Sequence, residues 1–184
     1  MKDYFTPDYM FATFDEITPA FLQSIGVRAL LIDIDNTLAP YEQPDPDERI
    51  MAWFADLEKN GIRATLISNN HAPRVERFNK PLLESFGIVA YPDSGKPFAG
   101  KLKYAMERMG VTYTETAMLG DQILTDCFAG KHIGLRSIIV PPIKDKTNLF
   151  FRFKRFLERP SIRRYARRNG YQKWMAFWKV KEPK

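Results

Sequence analysis

The sequence predicts a three-layer α/β sandwich on a parallel sheet, followed by a basic helical C-terminal extension. Three observations carry this. From about residue 27 onward, short apolar runs alternate with amphipathic segments at helical spacing, which implies parallel strands joined by helical crossovers. Polar residues follow the apolar runs at Asp33, Ser68 and Asp121. Open α/β sheets bind ligands at such strand ends. Charge is also divided along the chain. Residues 148–184 hold 12 of the 28 Lys and Arg but only 2 of the 22 acids, a balance of +10 that leaves −4 for residues 1–147.

The elements follow in order. Residues 27–32 read as a buried strand that ends at Asp33. Asp45 supplies an N-cap and Pro46 a first helical position. Ile50, Phe54 and Leu57 then share one face, and Gly61 closes the helix. Residues 63–67 form a second strand that runs into Ser68-Asn69-Asn70. A charged helix covers about 73–86, where Pro81 is expected to kink or break it and Gly87 to end it. Residues 88–91 are a short strand. Phe98, Leu102, Ala105, Met106 and Met109 place apolar groups on one helical face. Residues 116–119 are a strand leading to Gly120-Asp121, a helix spans about 122–132, and residues 137–140 are the last strand.

Composition narrows the class. A chain of 184 residues suits one domain with a full core and some chain left over. The apolar fraction of 45% argues against wholesale disorder. The single cysteine, Cys127, allows no internal disulfide, points to a reducing compartment and reads as a small packed side chain. No apolar stretch approaches the ~18 residues that span a bilayer. Met1-Lys2-Asp3-Tyr4 lacks the apolar core of a secretory signal. The expected location is the cytoplasm or the cytosolic face of a membrane.

The densest chemistry lies in Asp33-Ile34-Asp35-Asn36-Thr37-Leu38. A phosphomonoester carries about two negative charges near neutral pH, so a carboxylate attacks it only when those charges are neutralised. A cation held by acids does this, and Mg²⁺ suits oxygen ligands and phosphate. Asp33 is then both nucleophile and metal ligand. Asp35 protonates the leaving oxygen and afterwards serves as base for water. The backbone carbonyl at position 35 is a further ligand.

These residues resemble a known family. Asp33 to Leu38 is similar to the first motif of the haloacid dehalogenase (HAD) superfamily. Ser68-Asn69-Asn70 resembles the second, Gly95-Lys96-Pro97 the third, and Gly120-Asp121-Gln122-Ile123-Leu124-Thr125-Asp126 the fourth. The four stand in family order across residues 33–126. The resemblance implies a Rossmann-like sheet, an aspartyl-phosphate on Asp33 and an Mg²⁺ held by Asp33, Asp35 and Asp121. Ser68 would hydrogen-bond the phosphoryl group, and Lys96 would offset its charge. Asn69 is either a turn residue or a substrate contact. Asp126 is a direct ligand, a ligand through water or a helix-surface acid. Lys101 and Lys103 are alternatives to Lys96, which is placed near a helix N-terminus by Pro97. An acid at position 35 selects phosphatases and phosphomutases within the superfamily. The motif wording is similar to the YqeG-type branch of subclass IIIA, whose relatives include phosphatidylglycerophosphate phosphatases.

The spacing leaves no room for a large cap domain, since 33 positions separate Asp35 from Ser68 and 28 separate Ser68 from Lys96. An open site suits a bulky or surface-held substrate, unless a homo-oligomer shields it. In the extension, Leu149, Phe150, Phe153, Phe156 and Leu157 form an apolar stripe among basic residues. Pro160 is expected to break that helix, and Gly170 to stop the run that follows. Tyr171, Trp174, Met175 and Trp178 form a second stripe. Such segments suit an anionic membrane surface, docking onto the domain, or RNA, although no RNA-binding motif is present. The expectation is a phosphatase domain over residues 1–147 and a basic extension over 148–184. The substrate is expected to be phosphatidylglycerophosphate. The alternatives are a soluble sugar- or nucleotide-phosphate, or an RNA- or protein-binding role for a chain that retains the site.

Overall fold

Six parallel strands form one sheet in the order β1-β6-β5-β2-β3-β4. The structure is a computed structural model that describes residues 3–144 and 149–183, without the side chains of Phe150 and Phe151. Met1, Lys2, the expected boundary at 147/148 and the Phe150 side chain therefore lie outside the described residues. The strands are β1 (Tyr9–Met10), β2 (Ala29–Ile32), β3 (Arg63–Ile67), β4 (Ala90–Tyr91), β5 (Thr116–Gly120) and β6 (Arg136–Ile139). The helices are α1 (Pro19–Ser24), α2 (Glu48–Lys59), α3 (Ala72–Phe86), α4 (Gly100–Met109), α5 (Phe128–His132) and α6 (Leu149–Asn169).

Alternation along the strands sends side chains to opposite faces. Leu30, Ile32 and Leu66 join Trp53, Phe54, Val75 and Phe78 of α2 and α3 in one core. Leu31, Ile67 and Met118 join Leu102, Ala105 and Met106 of α4 and Ala129 of α5 in another. Helices thus cover both faces. The chain leaves β2 for β3 and β4 on one side and later returns to β5 on the other. The switch point lies between β2 and β5, whose carboxyl ends carry Asp33 and Asp121. Between Asp35 and Ser68 there is only a loop, α2 and β3; between Ser68 and Lys96 there are only α3 and β4. Among the described residues there is no large cap.

Several boundaries differ from the sequence expectation. Asp47, not Asp45, caps α2, with Oδ1 accepting from the Ile50 N–H at 2.9 Å. Asp45 instead pairs with Arg77 at 3.2 Å. α3 runs unbroken through Pro81, and its buried face of Val75, Phe78, Asn79 and Leu82 holds it to the sheet. Phe98 precedes α4 and is 80% exposed. A π-helical turn, Ile123–Cys127, replaces the first part of the helix expected after Asp121. β1 and α1 have no counterpart in the periodicity. β1 has two residues, and α1 is marked only by Thr18, whose hydroxyl caps Phe21, and by Pro19 at the first position.

The extension is more deeply embedded than its polarity suggests. α6 continues through Pro160. Ile162, Tyr165 and Ala166 of α6 are buried with Met175, Trp178 and Val180 against Met10, Ile123, Cys127 and Ile139. The Tyr165 hydroxyl accepts from the Met10 N–H at 3.1 Å, tying α6 to the edge strand. These anchors after Pro160, together with Glu158 buried just before it, offset the backbone hydrogen bond that proline removes. The first stripe faces outward: Leu149, Phe153, Phe156 and Leu157 are all exposed. Among the described residues, no helix is long and apolar enough to cross a membrane.

Embedding has a measurable consequence. Ile162→Ala should cost about 2–5 kcal/mol in denaturant unfolding, and Phe153→Ala should stay within about 0.5 kcal/mol.

Candidate active site

Asp33 is the first residue beyond β2, and its N–H bonds the Leu119 carbonyl of β5 at 2.9 Å. The loop that follows is tight. Asn36 adopts a left-handed backbone conformation with φ 66°, which asparagine tolerates better than most residues. Its N–H donates to the Ala39 carbonyl at 2.7 Å, folding the chain back so that Thr37 Oγ1 donates to Asp33 Oδ2 at 3.1 Å.

The other oxygen of Asp33 meets Lys96. Lys96 Nζ donates to Asp33 Oδ1 at 2.6 Å and to the Ile67 carbonyl at 2.8 Å. It also lies 2.7 Å from Asp126 Oδ1, close enough for an ion pair but without hydrogen-bond alignment. Lys96 does not sit at a helix N-terminus, since α4 begins only at Gly100. Its place is set by Asn69 instead. Asn69 Oδ1 accepts from the Lys96 N–H at 2.8 Å and from Ser94 Oγ at 2.7 Å, and Asn69 Nδ2 donates to the Lys96 carbonyl at 2.9 Å. The amide of Asn69 is thus spent on holding the lysine loop.

Asp35 points elsewhere. Its carboxylate accepts from Asn70 Nδ2 at 3.0 Å, from Ser68 Oγ at 3.5 Å and from Arg74 Nη2 at 3.3 Å. Nothing in the sequence pattern marks Arg74 or Asn70 as partners of Asp35. Arg74 is the third residue of α3, and only the start of that helix after Ser68 hinted that its side chain would reach back.

Three carboxylates, from Asp33, Asp121 and Asp126, each offer an oxygen within 4.8 Å of the others. The side chain of Asp35 is outside this cluster, and that of Asp126 is inside it. Glycine at 120 is what lets Asp126 approach: a Cβ there would lie 2.3 Å from Asp126 Cγ. Asp126 Oδ2 also accepts from the Gln122 N–H at 3.1 Å. Asp121 is fully buried, and its Oδ1 has no hydrogen-bond partner. Its other oxygen pairs with Arg155 of α6, a residue the sequence reading left in the basic extension.

The electrostatics suit a bound cation. Burial pushes the Asp33 carboxyl up to about 8; Lys96 opposes the rise, and Asp126 and Asp121 add to it. Burial likewise pushes Asp121 up to about 6 against the pull of Arg155, with Asp126 and Glu158 adding. For Lys96 burial disfavours the charged form, but Asp126 and Asp33 outweigh it and the net shift is upward. Two cations, Lys96 and Arg155, face four buried acids, Asp33, Asp121, Asp126 and Glu158, and leave negative charge uncompensated. An orphaned buried carboxylate oxygen and all-oxygen donors suit a hard divalent cation. Asp33, Asp35, Lys96, Asp126 and Arg155 line a cleft of about 250 Å³ together with Tyr41, Gln122, Thr125, Lys144 and Lys154, and Asp121 lies buried behind that lining. Burial raises the Cys127 thiol to about 12, which excludes it as a nucleophile.

A buried aspartate at the switch point, bridged by a lysine to an acidic pair on the neighbouring strand end, is the arrangement of a phosphate-ester hydrolase. Comparison with known proteins agrees. The family model described as HAD-hydrolase-like matches residues 94–142. The chain is 32% identical over 174 residues to the probable phosphatase YqeG of Bacillus subtilis (strain 168), covering 95% of this chain and 98% of that protein. Among solved structures, the cobalt-bound deoxy-D-mannose-octulosonate 8-phosphate phosphatase of Haemophilus influenzae matches with a TM-score of 0.48 and 14% identity, over 77% of this chain and 90% of that one. A putative HAD subfamily IIIA hydrolase from Legionella pneumophila matches with a TM-score of 0.47 and 19% identity, over 65% and 70%. The chain belongs to the haloacid dehalogenase superfamily, in its YqeG-type phosphatase branch.

Gly120→Ala tests the close approach. The added methyl should displace Asp126, cost about 1–3 kcal/mol in thermal unfolding and depress phosphatase activity of the molecules that remain folded.

Proposed function

We propose that the protein is a magnesium-dependent phosphomonoester hydrolase that works through an aspartyl-phosphate on Asp33, with phosphatidylglycerophosphate as its substrate and phosphatidylglycerol as its product. The observation that carries the reaction is the ammonium of Lys96 lying between Asp33 and Asp126 at 2.6 and 2.7 Å. Asp33, Asp121 and Asp126 would hold the cation, with the backbone carbonyl of Asp35 as a further donor. When bound, the cation neutralises the phosphate oxygens and so permits a carboxylate to approach.

The chain's own groups do the rest. Asp33 attacks phosphorus while Thr37 and Lys96 fix its two oxygens. The bond to the leaving oxygen breaks, and Asp35 gives that oxygen its proton. Asp35 then takes a proton from water as the water oxygen attacks phosphorus, which frees Asp33 and releases phosphate. Arg74 and Asn70 keep the Asp35 carboxylate aimed at the cleft. Ser68, whose Oγ lies 3.5 Å from Asp35 Oδ2, is the donor to the transferred group. Lys96 offsets charge on that group as well as on the nucleophile.

Three features support a lipid substrate. The cleft has no large cap, so a headgroup at a surface has access. The outward face of α6 combines Leu149, Phe153, Phe156 and Leu157 with Arg152, Lys154 and Arg159 along the same stretch. Lys154 lines the cleft itself. Basic residues near an anionic membrane contribute about 1 kcal/mol each, and apolar side chains enter the interface. Peripheral contact through α6 would set the cleft beside its substrate.

Phosphate release from phosphatidylglycerophosphate in mixed micelles tests the reading. Turnover should need Mg²⁺, stop with chelator, return when Mg²⁺ is restored, and fall by about 10³-fold or more in Asp33→Asn. No release from the lipid, together with fast turnover of soluble sugar or nucleotide phosphates, would show that the substrate is soluble.

A further inference from the structure

The extension enters the catalytic cleft through Arg155. Its Nη1 donates to the Asp121 carbonyl at 2.7 Å and to Glu158 Oε2 at 2.8 Å, and its Nη2 donates to Asp121 Oδ2. Glu158 is fully buried. Its second oxygen accepts from the Ile123 N–H at 2.8 Å and the Leu124 N–H at 3.3 Å. Two residues one helical turn apart on α6 therefore grip both ends of the short segment from Asp121 to Leu124. The guanidinium is backed by the Trp178 ring, 5.0 Å from its centroid.

We infer that Arg155 is a positioning residue of the cation site: it takes Asp121 Oδ2 and the Asp121 main-chain oxygen, so that Oδ1 alone is presented to the cation. This rests on the reading of Asp33, Asp121 and Asp126 as cation ligands. The geometry separates the two oxygens of one carboxylate. Oδ2 is bound by Arg155, while Oδ1 is buried and has no hydrogen-bond partner. A guanidinium next to a ligand would ordinarily repel a cation. Here Glu158 pairs with the guanidinium at 2.8 Å and offsets that charge, so orientation is gained without added positive charge. Outer partners of ligating carboxylates commonly change metal affinity by about 10–100-fold when removed. The catalytic unit then includes α6, and the helix that carries the exposed apolar face also holds a cation ligand in place.

Removing Arg155 alone would leave Glu158 buried without its partner, a strongly destabilising change. The test therefore uses the full chain carrying Arg155→Met with Glu158→Gln, which keeps an acceptor for the Ile123 and Leu124 N–H groups. Arg155→Lys is made beside it as a conservative variant. Mn²⁺ is the probe, with Kd read by electron paramagnetic resonance and fold by thermal unfolding. The paired variant should bind Mn²⁺ about tenfold more weakly, and Arg155→Lys several-fold more weakly, since an ammonium keeps the charge but not the two-pronged grip. In an Asp121→Asn background the paired change should add nothing further. Unchanged Mn²⁺ affinity in folded Arg155→Lys, or an equal loss in the Asp121→Asn background, would overturn the inference. Should Asp121→Asn itself leave Mn²⁺ binding intact, the cation reading of the cluster fails first, and the inference falls with it.

Discussion

Lys96 stands between Asp33 and Asp126 with its ammonium almost wholly buried. Much of the active end of the molecule is arranged around that contact. Two like charges about 4 Å apart repel by about 4 kcal/mol at an effective dielectric near 20, so Asp33, Asp121 and Asp126 cannot gather at one sheet edge without a counter-charge. Lys96 supplies part of it. The Ile67 carbonyl fixes the ammonium from the sheet side, and the side-chain amide of Asn69 fixes the loop that bears it. The absence of a side chain at Gly120 lets Asp126 close the triangle. The remaining negative charge is what a divalent cation would neutralise under the proposed function.

Much of this was legible in the sequence because strand ends are legible. Apolar runs followed by Asp33, Ser68 and Asp121 mark three parallel strands and the edge where a ligand binds. β3 falls where its apolar run predicts, and the cap-less spacing follows from counting positions. What stayed hidden depends on contacts between distant segments. Asn69 reads equally as a turn residue or a substrate contact until Lys96 is seen folded against it. The carboxylates of Asp35 and Asp126 cannot be sorted by spacing, because the π-helical turn after Asp121 decides where Asp126 points. Arg74 is invisible for the same reason, since only the angle of α3 aims it at Asp35. The prolines mislead in a consistent way: Pro81 and Pro160 both lie inside helices whose buried faces outweigh the local penalty.

The basic extension shows how composition conceals packing. Its charge points to an anionic partner, yet Glu158, Ile162, Tyr165 and Ala166 form a buried ridge along α6. The aromatic stripe around Phe153 and Phe156, for which docking and surface contact are equal expectations, faces outward. One helix thus carries a surface suited to an anionic interface on one side and a pair of buried charges, Arg155 and Glu158, on the other. Under the proposed function, access to a surface-held phosphate and the geometry of the catalytic edge would both depend on this one element.

Asp33 is the proposed phosphoryl acceptor, and trapping its adduct is the most direct test. Asp35→Asn should accept a phosphoryl group from an aryl phosphate, whose leaving group needs no proton, but should hydrolyse the adduct slowly for want of a base. Acid quench after a single turnover, followed by peptide mass mapping, should place one phosphoryl group on the peptide that contains Asp33. Phosphate release with no modified peptide at any quench time, or a phosphoryl group on another residue, would contradict it.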